Sequence, residues 1–254
     1  MNIKTFFLIL IALFFTSIFY KKYYVKSLKN PNILTVGTSA DYPPYEFIDI
    51  KTSKIIGFDI DVIKAVANHL NKKIVIKDMP FTSLVFGLLA GEVDVIAAGM
   101  SPNSRRSKFV LFTDTYLTAD YFVVVSKKDV FVPKSLADLK GKQVVVNTGY
   151  TAEAFMAKQE GVHLIRLKDI ALGLVALQSG SADAFVCTNS VLKNILQKKN
   201  NVDQFAVLPL YGTGDDCSFA VKKDNTSLAN QINEALAVMH QNGTLEQLKI
   251  KWNL

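Results

Sequence analysis

The sequence predicts an α/β fold built from two lobes that face each other across a cleft. Three observations carry this reading. Strand-like apolar runs alternate with helix-like stretches from about residue 33 onward, the pattern of parallel sheets covered by helices on both faces. The pattern occurs twice, with a strand-rich stretch near residues 109–126 between the two halves. The halves also echo each other: "TVGTSADYPPYEF" and "VVVNTGYTAEAF" each open as a strand and loop, and "LLAGEVDVIAAG" and "LQSGSADAFVCT" are each helix, glycine and strand. Open α/β sheets bind ligands at the carboxyl ends of their strands. Two such lobes therefore place a ligand between them.

The elements follow in order. "ILTVGTS" is a strand opening into a loop. "DIDVIKAVANHLN" sets Ile60, Ile63, Val66, Ala67 and Leu70 at helical spacing. "KIVIKDM" is a strand, and "FTSLVFGLLAGE" a helix ending at Gly91. "VDVIAAG" lacks alternation, which predicts a strand buried on both faces. "DYFVVVSKK" is a further strand. The second half opens with a short helix and turn, "SLADLKGK". Then come the strand "QVVVNTG", the helix "TAEAFMAKQ", the strand "VHLIRL" and the helix "DIALGLVALQSG". The strand "ADAFVCT" and the helix "NSVLKNILQKK" complete it. "DQFAVLPL" and "CSFAVKK" read as two separate strands. "TSLANQINEALAVMHQN" is a long amphipathic helix and "TLEQLKIKW" a short last one.

Ahead of the lobes, an apolar or small-residue run extends from Phe6 to Tyr20, preceded by Lys4 and followed by Lys21 and Lys22. Its roughly fifteen residues span only about 22 Å as a helix, short for a membrane span. The length fits the hydrophobic region of an export signal. No small-x-small cleavage site and no lipidation cysteine follows, so a cleaved signal peptide and an uncleaved membrane anchor both stay open. Residues 1–31 are assigned to this segment and its linker.

Composition excludes other classes. The chain has 254 residues, half of them hydrophobic, enough for a large core. Of its 29 basic residues, five lysines lie in residues 1–31 with no acid, leaving 24 against 22 acidic residues in the remainder. That near-neutral balance, with no basic stripe, argues against nucleic-acid binding. His69, His163 and His240 are scattered, and Cys187 and Cys217 show no metal-ligand spacing, so neither a metal nor a cofactor is expected. The cysteines lie in apolar strand-like surroundings. Two buried free thiols are preferred over a disulfide.

The motifs "GTSADYPPYEF", "IIGFDIDVIKAVA", "GMSPNSRR…FTDTY" and "NTGYTAEAF", together with the C-terminal "FAVKKDNTSLANQINEALAVMHQNGTLEQLKIKW", resemble the amino-acid-type extracytoplasmic solute-binding proteins of ABC importers. The resemblance covers nearly everything after residue 32. It implies a type II periplasmic-binding-protein-like fold, each lobe a mixed sheet flanked by helices, joined by two hinge strands. The first lobe would comprise residues 32–122 and 214–254 and the second residues 123–213. The implied partners are a small-molecule amino acid and an ABC transporter permease, and the implied state is a monomer in the periplasm or on the outer face of the cytoplasmic membrane.

The chemistry of the motifs agrees. A free amino acid presents a carboxylate, which suits a planar bidentate arginine and helix N-terminal N–H groups. By the resemblance, Arg106 matches the carboxylate-binding arginine, ten residues before Tyr116, while Arg105 falls on an exposed polar position. Ser101 matches a carboxylate-binding hydroxyl, Gly99 a backbone acceptor for the ammonium, and Met100 the same loop. Thr151, opening the helix after "NTGY", matches the second-lobe donor to the carboxylate, and Thr148 is taken as ligand-binding in the same loop. Tyr42 and Phe81 match rings that sandwich the ligand's side chain, suiting an aliphatic stem or a cationic head. These rings with Asp41 and Glu46 favour a polar, cationic amino acid. One position departs: Thr188 stands where the resemblance implies an aspartate for the ammonium. Asp41, Glu46 or Asp215 from the other lobe, neutral groups alone, or a ligand without an α-ammonium are the alternatives. No pair of carboxylates is poised as acid and base, so no catalytic residue is assigned. A cyclohexadienyl dehydratase-like enzyme and a ligand-sensing module on the same fold are the runner-up readings.

Overall fold

The computed structural model describes residues 30–197 and 202–254; the hydrophobic N-terminal run and its signal-or-anchor reading lie outside the described residues. In chain order the strands of the first half are β1 (Ile33–Thr38), β2 (Asp41–Tyr42), β3 (Glu46–Ile48), β4 (Ile55–Ile56), β5 (Lys73–Asp78) and β6 (Val95–Ile96). Between them lie the helices α1 (Phe58–His69) and α2 (Leu84–Ala90). The 18-residue strand β7 (Val110–Lys127) leads into β8 (Gln143–Asn147), α3 (Thr151–Met156), β9 (His163–Leu167), α4 (Ala171–Ser179), β10 (Ala184–Thr188) and α5 (Asn189–Gln197). A second 18-residue strand, β11 (Phe205–Lys222), returns the chain to α6 (Thr226–Gln241) and α7 (Thr244–Trp252).

Eight strands form one continuous sheet in the order β5-β1-β6-β11-β7-β10-β8-β9. The parallel pairs β1–β6, β8–β9 and β8–β10 lie on either side of the antiparallel pair β7–β11. Both halves are thus mixed sheets joined by two long strands, the two-lobed architecture that the alternating pattern implies. One expectation needs correction: "DQFAVLPL" and "CSFAVKK" are not two strands. Pairing with β7 continues through "YGTGDD" by register shifts between Leu210 and Ala220, so Gly212 and Gly214 lie in a bulged part of one continuous strand. "VDVIAAG" is buried as expected, but only Val95 and Ile96 join the ladder.

Packing follows the period of two. Along β7, Val123 and Val125 face Phe185, Cys187, Leu174 and Leu177, while Phe122 and Val124 face Val144, Val146, Ala152 and Met156. The central strands β7, β8 and β10 are therefore packed on both faces, while the edge strand β9 has no fully buried residue. In the first half, Leu34, Val36 and Val95 pack with Val62, Ile63 and Val66 of α1 and Leu84 and Leu88 of α2. The echo between halves holds in detail, since α2 and α4 both end on left-handed glycines, Gly91 and Gly180. Cys187 and Cys217 are buried free thiols. Among the described residues no helix is long and apolar enough to cross a membrane.

A small sheet, β2-β3-β4, was not legible in the sequence. It is fastened to α1, because the N–H groups of Phe58 and Asp59 donate to the carbonyls of Pro44 and Tyr45. Gly57 makes this junction at φ 140°, and a β-carbon there would lie only 2.1 Å from the Tyr45 carbonyl oxygen. No other residue fits without moving backbone. Gly57→Ala is expected to cost about 2 kcal/mol or more, lowering Tm by roughly 4–8 °C, as thermal denaturation followed by circular dichroism would read.

Candidate functional site

The residues singled out in the sequence gather at the carboxyl ends of parallel strands. Asp41 and Tyr42 follow β1, Gly99 to Ser101 follow β6, Thr148 to Thr151 follow β8, and Thr188 ends β10. These loops meet between the lobes. The Arg106 guanidinium donates to the carbonyl of Ser101 in its own loop at 2.7 Å and to the carbonyl of Gly149, across the cleft, at 2.9 Å. It also lies over the Phe81 ring, 5.1 Å from the centroid. Burial lowers its pKa from the usual arginine value, opposed by the Asp215 charge. Arg105 is exposed, as expected of a solvated neighbour.

Ser101 is buried and its hydroxyl has no hydrogen-bond partner. Thr151, the first residue of α3, donates its hydroxyl to the Asp215 carboxylate at 2.5 Å. The Tyr42 hydroxyl lies 3.3 Å from that of Thr188. The N–H of Gly99 donates to Asp59 at 2.7 Å, and the Met100 carbonyl accepts from the Ser218 N–H. Thr148 is the exception: its N–H and hydroxyl both donate to the Leu167 carbonyl of β9, which turns it away from the other site residues.

The acids are unevenly placed. Glu46 is fully buried with neither oxygen partnered, and burial holds its pKa well above the ordinary carboxylate range, with the Asp59 charge adding to the effect. Asp59 accepts from Gly99 and from the Tyr116 hydroxyl, yet burial still raises its pKa to about 6. Asp41 is also raised to about 6 by burial, against the hydrogen bond from Ser39. Asp120 accepts the Tyr45 hydroxyl at 2.5 Å and the Ser190 N–H at 3.1 Å, joining the loop before β3, β7 and α5.

Sequence reasoning missed one residue. Tyr150 is buried, its ring stacked on Phe81 at 4.2 Å and 17° and set against Tyr42 at 4.9 Å. Tyr42 stacks in turn on Tyr45 at 5.4 Å. The second lobe thus inserts a ring between the two rings expected to sandwich a ligand. A signal was present in "NTGYTAEAF". Tyr150 occupies the N-cap of α3, where it makes no side-chain cap, although Ser, Thr, Asp and Asn are the residues that satisfy this position. An aromatic there has another task. Glu153 accepts the Gly149 N–H instead and is held by Arg166 at 2.6 Å.

Two cavities adjoin this cluster. A polar one of about 310 Å³ is lined by Ser101, Thr151, Asp215, Asp216 and the glycines Gly212 and Gly214. A more apolar one of about 570 Å³ lies between α2 and α3, lined by Phe81, Phe86, Leu89, Arg106, Phe109 and Tyr150 among others. Among the described residues no group of His, Cys, Asp and Glu is arranged to hold a metal. The site is therefore a polar cleft, with one half-buried cation, several buried acids and a ladder of rings.

Residues 34–254 match the family described as bacterial extracellular solute-binding proteins, family 3. The chain belongs to this family. It is 34% identical over 86% of its length to the arginine-binding extracellular protein ArtP of Bacillus subtilis, covering 85% of that protein. It is 33% identical over 89% of its length to the L-cystine-binding protein TcyA of the same organism, covering 83% of it. Among solved structures, an ancestral arginine-binding protein bound to arginine superimposes with a TM-score of 0.82 at 36% identity, covering 87% of this chain and 98% of that one. These family relatives are amino-acid-binding proteins of ABC transport and not enzymes, which removes the dehydratase alternative.

Proposed function

We propose that the chain captures a cationic amino acid, with L-arginine the foremost candidate, on the outer side of the cytoplasmic membrane and delivers it to an ABC import permease. The observation that carries this is Arg106, a half-buried guanidinium bonded to carbonyls on both sides of the cleft, beside the Ser101 hydroxyl and Thr151. In this reading Arg106 leaves its carbonyl partners for the ligand's carboxylate, a bidentate exchange that favours closure. Ser101 and Thr151 complete the carboxylate's hydrogen bonds, and the backbone of Gly99 and Met100 lines the same wall. Tyr42 and Phe81 receive the side chain, with the Asp41 carboxylate, ionised above about pH 6, favouring a cation. The arginine and cystine specificities of the relatives support an amino-acid ligand with a long side chain. The lobes that close are residues 32–122 with 214–254 and residues 123–213, hinged at the bulged part of β7 and β11.

A thermal-shift screen over the standard amino acids and L-cystine tests this. A ligand at a hundred times its dissociation constant adds about 2.7 kcal/mol, or roughly 5–10 °C in Tm for a domain of this size. L-arginine should give the largest rise. No rise with any amino acid would sink the reading.

A further inference from the structure

We propose that Asp215, on the hinge strand β11, supplies the counter-charge for the ligand's α-ammonium, replacing an acid at position 188. The inference rests on the amino-acid-capture reading. Thr188 is buried and its hydroxyl engages Tyr42, so this position brings no charge to the cleft. An ammonium buried against neutral groups alone is costly. A carboxylate must therefore come from elsewhere, and the acids around the cleft can be compared one by one.

Asp120 is committed to Tyr45 and the Ser190 N–H. Asp59 is committed to Gly99 and Tyr116. Asp41 is turned to Ser39. Glu46 is fully buried, its Oε1 3.8 Å from the point where a β-carbon on Gly99 would sit. Asp215 alone among these acids lines the polar cavity with both Ser101 and Thr151, the residues expected at the ligand's carboxylate. An α-ammonium is one carbon away from that carboxylate, so its counter-ion has to stand in the same cavity.

The hinge explains how Asp215 reaches this place. The pairing with β7 shifts on both sides of it, between Leu210 and Asp215 and again between Asp215 and Cys217, leaving Asp215 opposite Asp120. Gly214, at φ 138°, packs directly on the Asp120 carbonyl, and a β-carbon there would lie 2.7 Å from its oxygen. The bulge thereby turns the Asp215 carboxylate into the cavity, where the residue is only 7% exposed. Its oxygens take the Thr151 hydroxyl, while a carboxylate has room for about four hydrogen bonds. The Ser101 hydroxyl lies in the same wall. Burial raises the Asp215 pKa, opposed chiefly by the Thr151 hydroxyl, then by the nearby Ser101 hydroxyl and Arg106, with Asp120 adding to the rise. A cationic donor meets both needs, the unused acceptor sites and the charge.

Isothermal titration of wild-type protein and Asp215→Asn with L-arginine and with 5-guanidinopentanoic acid, the same molecule without its α-amino group, tests the assignment. Asp215→Asn should weaken L-arginine by about 100-fold while changing the deaminated analogue by less than about threefold. Equal losses for both ligands, or no loss for L-arginine, would overturn it. If the screen selects another amino acid, that amino acid and its deaminated analogue take the two places. Binding of no amino acid by the wild type defeats the capture reading and this assignment together, whereas wild-type binding with an indifferent Asp215→Asn defeats the assignment alone. A measurement on the unaltered protein guards against misfolding: the Asp215 side-chain carbon, followed by NMR, should titrate at lower pH with the amino acid bound and not with the analogue. The same titration with both ligands would equally overturn the assignment.

Discussion

Arg106→Ala is expected to weaken amino-acid binding by a factor of about 10² to 10³, and Arg105→Ala by less than about threefold. Removing one partner of a buried charge pair typically costs about 3–5 kcal/mol, because the other charge is left desolvated. Arg106 is the less exposed of the two, half-buried and bonded to carbonyls of both lobes. Arg105 is exposed, and an exposed pair contributes between about 0 and 1 kcal/mol. Arg106→Ala also removes the Gly149 contact, so the ligand-free melting temperature must be compared alongside. A structural effect alone would lower Tm and leave affinity for the folded fraction intact. Titration calorimetry on both variants separates the outcomes. A reversal, with Arg105 decisive and Arg106 indifferent, would mean that the "GMSPNSRR" loop is matched to the family one residue out of register.

The loop is legible as a candidate site because a cation and a hydroxyl just past a buried strand suit an anion, while the choice of Arg106 over Arg105 comes from the family resemblance. Also legible are α1 and α6, whose apolar faces repeat at helical spacing over three turns or more. Other features depend on partners far along the chain. The hinge strand β11 looked broken at Gly212 and Gly214 because glycine ordinarily punctuates strands. Its continuity comes from pairing with β7, which sequence spacing does not reveal. Strands β2 and β4 are two residues each, too short for any period to register. Thr148 seemed as well placed as Thr151, yet the Leu167 carbonyl draws it to β9. The role of Asp215 depends on Thr151, 64 residues away, and on a bulge that turns the acid inward.

Tyr150→Ser is expected to strengthen L-arginine binding by about 10- to 100-fold, with a much smaller gain for alanine or serine. The Tyr150 ring lies against both Phe81 and Tyr42. A guanidinium that enters between those rings has to displace it. Losing two ring contacts of about 0.5–1.5 kcal/mol each, together with part of the ring's buried area, costs roughly 2–3 kcal/mol, which is subtracted from the affinity of a long side chain. A short side chain that stops at the polar cavity leaves the ring in place and escapes the penalty. Tyr150 is thus expected to set the discrimination between long and short ligands. Serine removes the obstruction and restores a capping hydroxyl to α3, worth about 1 kcal/mol, which offsets part of the lost packing in the free protein. Tyr150→Phe keeps the ring and should bind like the wild type. Calorimetry with L-arginine and L-alanine on the three proteins checks the ratio of affinities. If arginine binding weakens in Tyr150→Ser, the ring is a platform on which the ligand lies and not an occupant of its place.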